Sequence, residues 1–120
     1  ETEYLSEINY TLIKKISDYL GITTKIDFSM NYSLFDGDKT ERLVDLCKQI
    51  GANEYFTGPS AKNYMNDKLF FEEKISVNYL DFNDYPEYTQ TNKKFTHNVS
   101  IVDLLLNEGE NSNDYLKYSK

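Results

Sequence analysis

Apolar positions recur at helical spacing through the first twenty residues. Leu5, Ile8, Leu12, Ile13, Ile16, Tyr19 and Leu20 fall on one face, which predicts an amphipathic helix over residues 4–20. Gly21 follows at once, where a residue able to take positive φ closes a helix. The pattern then changes. "TTKIDFSM", Thr23 to Met30, is β-branched and apolar and reads as a first strand. "NYSLFDGD" is turn-like, and Asp38 stands three residues before Glu41, a capping box opening a second helix. Leu43, Leu46, Cys47 and Ile50 form that helix's apolar face, and Gly51 ends it.

Tyr55 to Thr57 is a short second strand. It runs into Gly58-Pro59-Ser60 and then a helical stretch to about Glu73, with a break near Asn66-Asp67, where either side chain can cap a new turn. Alternation of Ile75, Val77 and Tyr79 within Lys74 to Phe82 predicts a third strand. Residues 83–98 carry no period and read as an ordered loop, since Tyr85, Tyr88 and Phe95 need packing partners. Ser100 to Asp103 is another capping pattern, leading through Leu104, Leu105 and Leu106 to Gly109.

The predicted order is therefore α-β-α-β-α-β-loop-α. That alternation implies an α/β fold with a small, three-stranded, mainly parallel sheet and flanking helices. So small a sheet is either covered by the loop and last helix or part of a larger sheet with strands upstream. Residues 1–110 read as one α/β domain of a longer protein, and 111–120 as a polar tail that frays or forms a short terminal helix.

Composition narrows the functional classes. The apolar fraction is 39%, a figure that includes eleven Tyr and seven Phe, each able to bury a large area and the Tyr carrying a polar handle as well. Net charge is −7, divided as −4 over the first sixty residues and −3 over the last sixty. No basic stripe exists to neutralise phosphates, which argues against nucleic acid and against an anionic membrane surface. No run approaches the eighteen or so apolar residues of a membrane span. Cys47 is the single cysteine, so no internal disulfide forms, which fits a reducing, cytoplasmic compartment. The chain opens on Glu1 rather than Met, so the lack of a leader says little about the parent.

In parallel α/β sheets, ligands bind outside the carboxyl ends of the strands. Three segments are expected there: 29–33, 57–62 and 81–83. Gly58 permits close approach, and Pro59 suits the first helical position. Free N–H groups of Ser60, Ala61 and Lys62 would favour an anion, aided by the Ser60 hydroxyl and the Lys62 charge. Many strand-to-helix turns use Gly-Pro-Ser for conformation alone, so a purely structural turn stands beside the ligand site. His97, the only histidine, lacks clustered ligand types and reads as a surface loop residue; no metal site is expected. Cys47 reads as a core thiol, and Asp103 as support for its own helix start or, in the sharper reading, an inward-facing carboxylate.

Several motifs occur together in order. "ERLVDLCKQIGANEYF", "YFTGPSAKNYM", "YPEYTQ" (Tyr85 to Gln90) and "FTHNVSIVDLLLNEGE" (Phe95 to Glu110) resemble the C-terminal half of the WbqC-like protein family. The resemblance runs from about Tyr10 to Gly109 and matches Gly58, Pro59, Ser60, Tyr64, Tyr88, Gln90, Ser100, Asp103, Asn107 and Gly109. Ala61 departs from it, since the family usually has glycine there. The resemblance implies a role in O-antigen or surface-polysaccharide biosynthesis and a transferase activity, aminoacyl (glycine) transfer to a sugar having been suggested. It also implies an absent N-terminal half, because members open with an aromatic segment rich in His, Gln and Pro.

On this basis Gly58, Ser60, Lys62, Tyr64, Tyr88, Gln90, Ser100 and Asp103 are the candidate substrate-binding residues, for a small-molecule or sugar-linked substrate. No catalytic base and no cofactor can be assigned. The alternative is a non-enzymatic binding or scaffolding module in which the same residues are fold determinants.

Overall fold

The computed structural model describes residues 3–33, 35–91 and 94–117. The chain divides into two compact units: Asp27–Phe82, and the segments up to Ile26 and from Asn83 onward.

The Asp27–Phe82 unit contains α1 (Lys39–Gln49), β1 (Glu54–Thr57), α2 (Asp67–Glu72) and β2 (Ser76–Tyr79). Helix α1 starts where the capping box places it: the Asp38 carboxylate accepts from the amides of Thr40 and Glu41, and Glu41 Oε2 accepts from Asp38 N at 2.8 Å. It ends at Gly51, whose φ of 69° is the left-handed conformation glycine adopts without strain. The helical stretch after β1 breaks into a 3-10 segment, Pro59–Asn63, and α2, whose start is capped by Asn66 accepting from Lys68 N.

Strands β1 and β2 pair in parallel, in the register Glu54↔Ser76, Tyr55↔Val77, Phe56↔Asn78, Thr57↔Tyr79. Val44, Cys47, Phe70 and Ile75 form the core, with Leu43, Tyr55, Met65 and Val77 packed around it. Phe70 is fully buried and stacks on Tyr55 at 5.0 Å between ring centroids. Buried Thr40 accepts from Asn66 N at 3.3 Å, joining the start of α1 to the start of α2.

Two strands, not three, form the sheet among the described residues. The predicted strand at Thr23 to Met30 does not form: residues 23–28 carry no ladder, and Ser29–Asn31 is a 3-10 turn. Asp27 supplies the physical reason. Its carboxylate accepts from its neighbour's amide (Phe28 N, 2.8 Å), from Asn31 Nδ2 (2.6 Å) and from the Tyr32 hydroxyl (2.9 Å). These local bonds stabilise a turn in competition with strand pairing. The fold is thus mixed α/β and helix-rich, and the three-stranded reading is overturned.

The other unit holds α3 (Leu5–Tyr19), the irregular stretches 83–91 and 94–100, α4 (Ile101–Glu108) and a 3-10 segment, Gly109–Tyr115. Leu20 and Leu104 are buried, as is Ser112, whose hydroxyl donates to Gly109 O at 2.6 Å. Asn113 Nδ2 donates to Leu20 O at 3.3 Å and ties the end of the chain to the end of α3. The residues of the expected polar tail therefore include an ordered 3-10 turn. No helix among the described residues is long and apolar enough to cross a membrane.

Candidate functional site

The candidate residues fall into two sets, one per unit. In the Asp27–Phe82 unit the sequence leaves β1 at Thr57 and turns through Gly58. Gly58 has φ −74° and ψ 160°, an extended conformation open to any residue. A Cβ built on it would meet only Phe82 Cε2, at an ordinary contact of 3.8 Å. Neither backbone strain nor internal packing demands glycine here.

The expected α-helix start is instead a five-residue 3-10 segment, and the Ala61 amide is already bonded to Gly58 O at 3.1 Å. Recognition by helix-start amides is correspondingly reduced, since short 3-10 pieces align few peptide dipoles. Ala61 is only 2% exposed, so its methyl belongs to the interior and does not narrow an open ligand face.

Side chains carry the chemistry at this turn. Lys62 Nζ lies 4.8 Å from the centroid of the Tyr79 ring. Tyr79 is the last residue of β2 and pairs with Thr57, the last of β1, so the Lys62 ammonium sits at the carboxyl edge of the parallel pair. The Tyr79 hydroxyl donates to Asp67 Oδ1 at 2.6 Å. That bond, with weaker burial and charge effects, pushes the phenol up to about 12, so at neutral pH it is a donor and not a base. Ser60 is exposed beside this edge in sequence, and Tyr64 is exposed with Lys39 Nζ 5.9 Å from its ring centroid.

The second set is in the unit containing α4. Ser100 caps that helix, its Oγ accepting from Val102 N at 3.3 Å. In the first turn, Asp103 Oδ2 accepts from the Tyr88 hydroxyl at 2.8 Å and from Gln90 Nε2 at 3.1 Å. The Gln90 carboxamide also bonds both backbone groups of Thr96, accepting from its N and donating to its O, each at 3.0 Å. Tyr88 stands edge-on to Phe95 and to Tyr115. Burial raises the Tyr88 phenol, and the Asp103 bond adds to the rise while the Gln90 bond opposes it. The structure thus joins Tyr88, Gln90 and Asp103 in one network that ties Tyr88, Gln90 and Thr96 to the first turn of α4.

His97 packs edge-on against Phe95, and burial pushes the Cys47 thiol up, which makes it a poor nucleophile. No cluster of three metal-ligating side chains occurs among the described residues. Sequence reasoning missed Tyr79 and Asp67 as the setting of Lys62. The available signal was Tyr79's place at the carboxyl end of an alternating strand.

A short parallel β pair with a cationic side chain at its carboxyl edge, set among helices, defines a small, helix-rich α/β protein. The WbqC-like protein family model matches residues 1–115, and the chain belongs to that family. The chain is similar to a protein of Mycobacterium tuberculosis, "Uncharacterized protein Rv1507c", with 45% identity over 116 residues. That alignment covers 97% of this chain and 50% of the relative, so the chain spans about half the relative's length. No solved structure matches.

Proposed function

We propose that the chain supplies a substrate-binding surface to a transferase of O-antigen or surface-polysaccharide assembly, and that the transferred group is an aminoacyl (glycyl) unit passed to a sugar. Family membership supports the class, and the carboxyl edge of β1 and β2 supports the binding role. One observation carries the reading most: Gly58 stands at that edge where nothing inside the protein requires a glycine. The space in front of the Gly58 Cα is, in this reading, space for a ligand. The Lys62 ammonium would balance an anionic group of the donor, and acyl transfer in general needs such positive potential near the carbonyl oxygen.

Tyr88, Gln90, Ser100 and Asp103 act as support in this reading, fixing a loop and a helix start. The base and acceptor contacts are assigned to the additional length that the relative has, and the free thiol suits a cytoplasmic setting. The 120 residues alone are expected to bind without turning substrate over.

A second reading, a non-enzymatic module, is favoured by the Tyr88–Gln90–Asp103 network, whose bonds join a loop to a helix start as fold determinants do. The test is ligand affinity beside folding stability for Ser60→Ala and Lys62→Ala, using nucleotide-sugars and activated amino acids against the natural full-length protein. The transferase reading requires affinity to fall by about tenfold or more with stability within ~0.5 kcal/mol of the parent. Parallel losses of both would leave the module.

A further inference from the structure

Within the Asp27–Phe82 unit, a cavity of about 550 Å³ opens between α1 and residues 29–33 with Phe35. That is the size of a small-molecule site. Its walls are aromatic and aliphatic, with Tyr32, Phe35 and Tyr64 around Leu46, and two cations, Lys39 and Arg42, reach it from α1.

The wall is held in place by specific contacts. The Gln49 carboxamide accepts from Ser33 N and donates to Ser33 O, both at 3.0 Å, pinning the segment to the far end of α1. The Tyr32 hydroxyl is held by Asp27 at 2.9 Å. A Cβ on Gly37 would collide with the Phe35 ring, so glycine at this position is what allows Phe35 to lie where it does.

Charge decides what such a cavity accepts. Lys39 and Arg42 are three residues apart, on one face of α1. Among the described residues, neither has a carboxylate partner within ion-pair distance. Asp45 also lines the cavity, its carboxylate held by Gln49 Nε2 at 2.6 Å, so the cavity's charged groups are two cations and one anion. The amides at the start of α1 are already taken by Asp38, so any anion recognition here falls to side chains. Lys39 Nζ lies 5.9 Å from the centroid of the Tyr64 ring, which also lines the cavity.

We infer that this cavity binds a small organic phosphate monoester carrying a flat ring, of the nucleotide class. Its two negative charges match Lys39 and Arg42, the guanidinium fork suiting phosphate oxygens, and its ring lies among Tyr32, Phe35 and Tyr64. Tyr64 is shared with the candidate set at the carboxyl edge, whereas Gly58, Ser60 and Lys62 do not line this cavity.

The test is a titration of the isotope-labelled chain, followed by amide NMR, with uridine or adenosine 5′-monophosphate as probe and with the nucleoside and inorganic phosphate as separate arms. A monophosphate is expected to give saturable shifts centred on Tyr32, Lys39, Arg42 and Tyr64. Nucleoside and phosphate alone should each bind at least about tenfold more weakly. Arg42→Gln and Lys39→Gln should each weaken binding about tenfold with the rest of the spectrum unchanged, and Lys62→Ala should leave it as it was. Four outcomes would overturn the proposal. These are no saturable shift for either monophosphate in the millimolar range, nucleoside or phosphate binding as tightly as the monophosphate, parental affinity in a folded Arg42→Gln, or loss of the shifts in Lys62→Ala.

Discussion

Tyr79 shows how a single bond changes what a side chain can do. An ordinary tyrosine titrates at about 10, whereas the Asp67 carboxylate 2.6 Å away pushes Tyr79 up to about 12. The folded state therefore holds this proton more tightly than the unfolded chain does. Stability from the bond is complete below about pH 10 and is lost as pH climbs towards about 12. Phenolate absorbance should show one tyrosine titrating near the upper end of that range, and Asp67→Asn should bring it down.

Asp103 makes a contrasting case, because its carboxylate serves two donors. Asp103→Ala would leave the Tyr88 hydroxyl and one Gln90 donor without this acceptor, costing ~1–3 kcal/mol. Urea unfolding followed at the α4 amides is the check, and Thr96 should lose protection together with them. In the sequence the residues of this network were legible as candidates but their partners were not. Tyr88 and Asp103 are fifteen positions apart, and no local period links a loop to a helix start.

At the scale of elements, local chemistry was readable wherever it decided the structure. The capping box at Asp38 and Glu41 is present as a reciprocal pair, and Gly51 ends the same helix with positive φ. Asp38→Ala should cost about 1 kcal/mol, seen as faster hydrogen exchange through the first turn of α1 and a lower unfolding midpoint. The failure at Thr23 to Met30 has the opposite origin. β-branched composition marks a segment that fits a strand, but a strand needs a partner, and pairing is a tertiary fact. Asp27 sits inside that run, and its three bonds settle the backbone locally before any pairing is required. The segment after β1 failed more mildly: Pro59 and Asn66 were visible as helix-start residues, yet the piece between them winds as a 3-10 turn.

For the whole molecule, alternation of helices and strands implied three mainly parallel strands, and the sheet has two, paired in parallel. The division into two units, with the chain leaving one at Ile26 and returning at Asn83, has no compositional marker, because neither junction is rich in glycine or proline. It distributes the nominated residues: Gly58, Ser60, Lys62 and Tyr64 in one unit, Tyr88, Gln90, Ser100 and Asp103 in the other. Binding and support are proposed for the two sets on the strength of what each contacts. Gly58→Ala separates ligand site from structural turn most directly, since its backbone is extended and its Cβ would touch only Phe82 at 3.8 Å. The measurement is unfolding free energy and ligand affinity of Gly58→Ala beside the parent. The predicted result is stability within ~0.5 kcal/mol of the parent, since alanine fits this backbone, together with clearly weaker binding of the donor. Undiminished binding, or a loss of binding matched by a loss of stability, would contradict it.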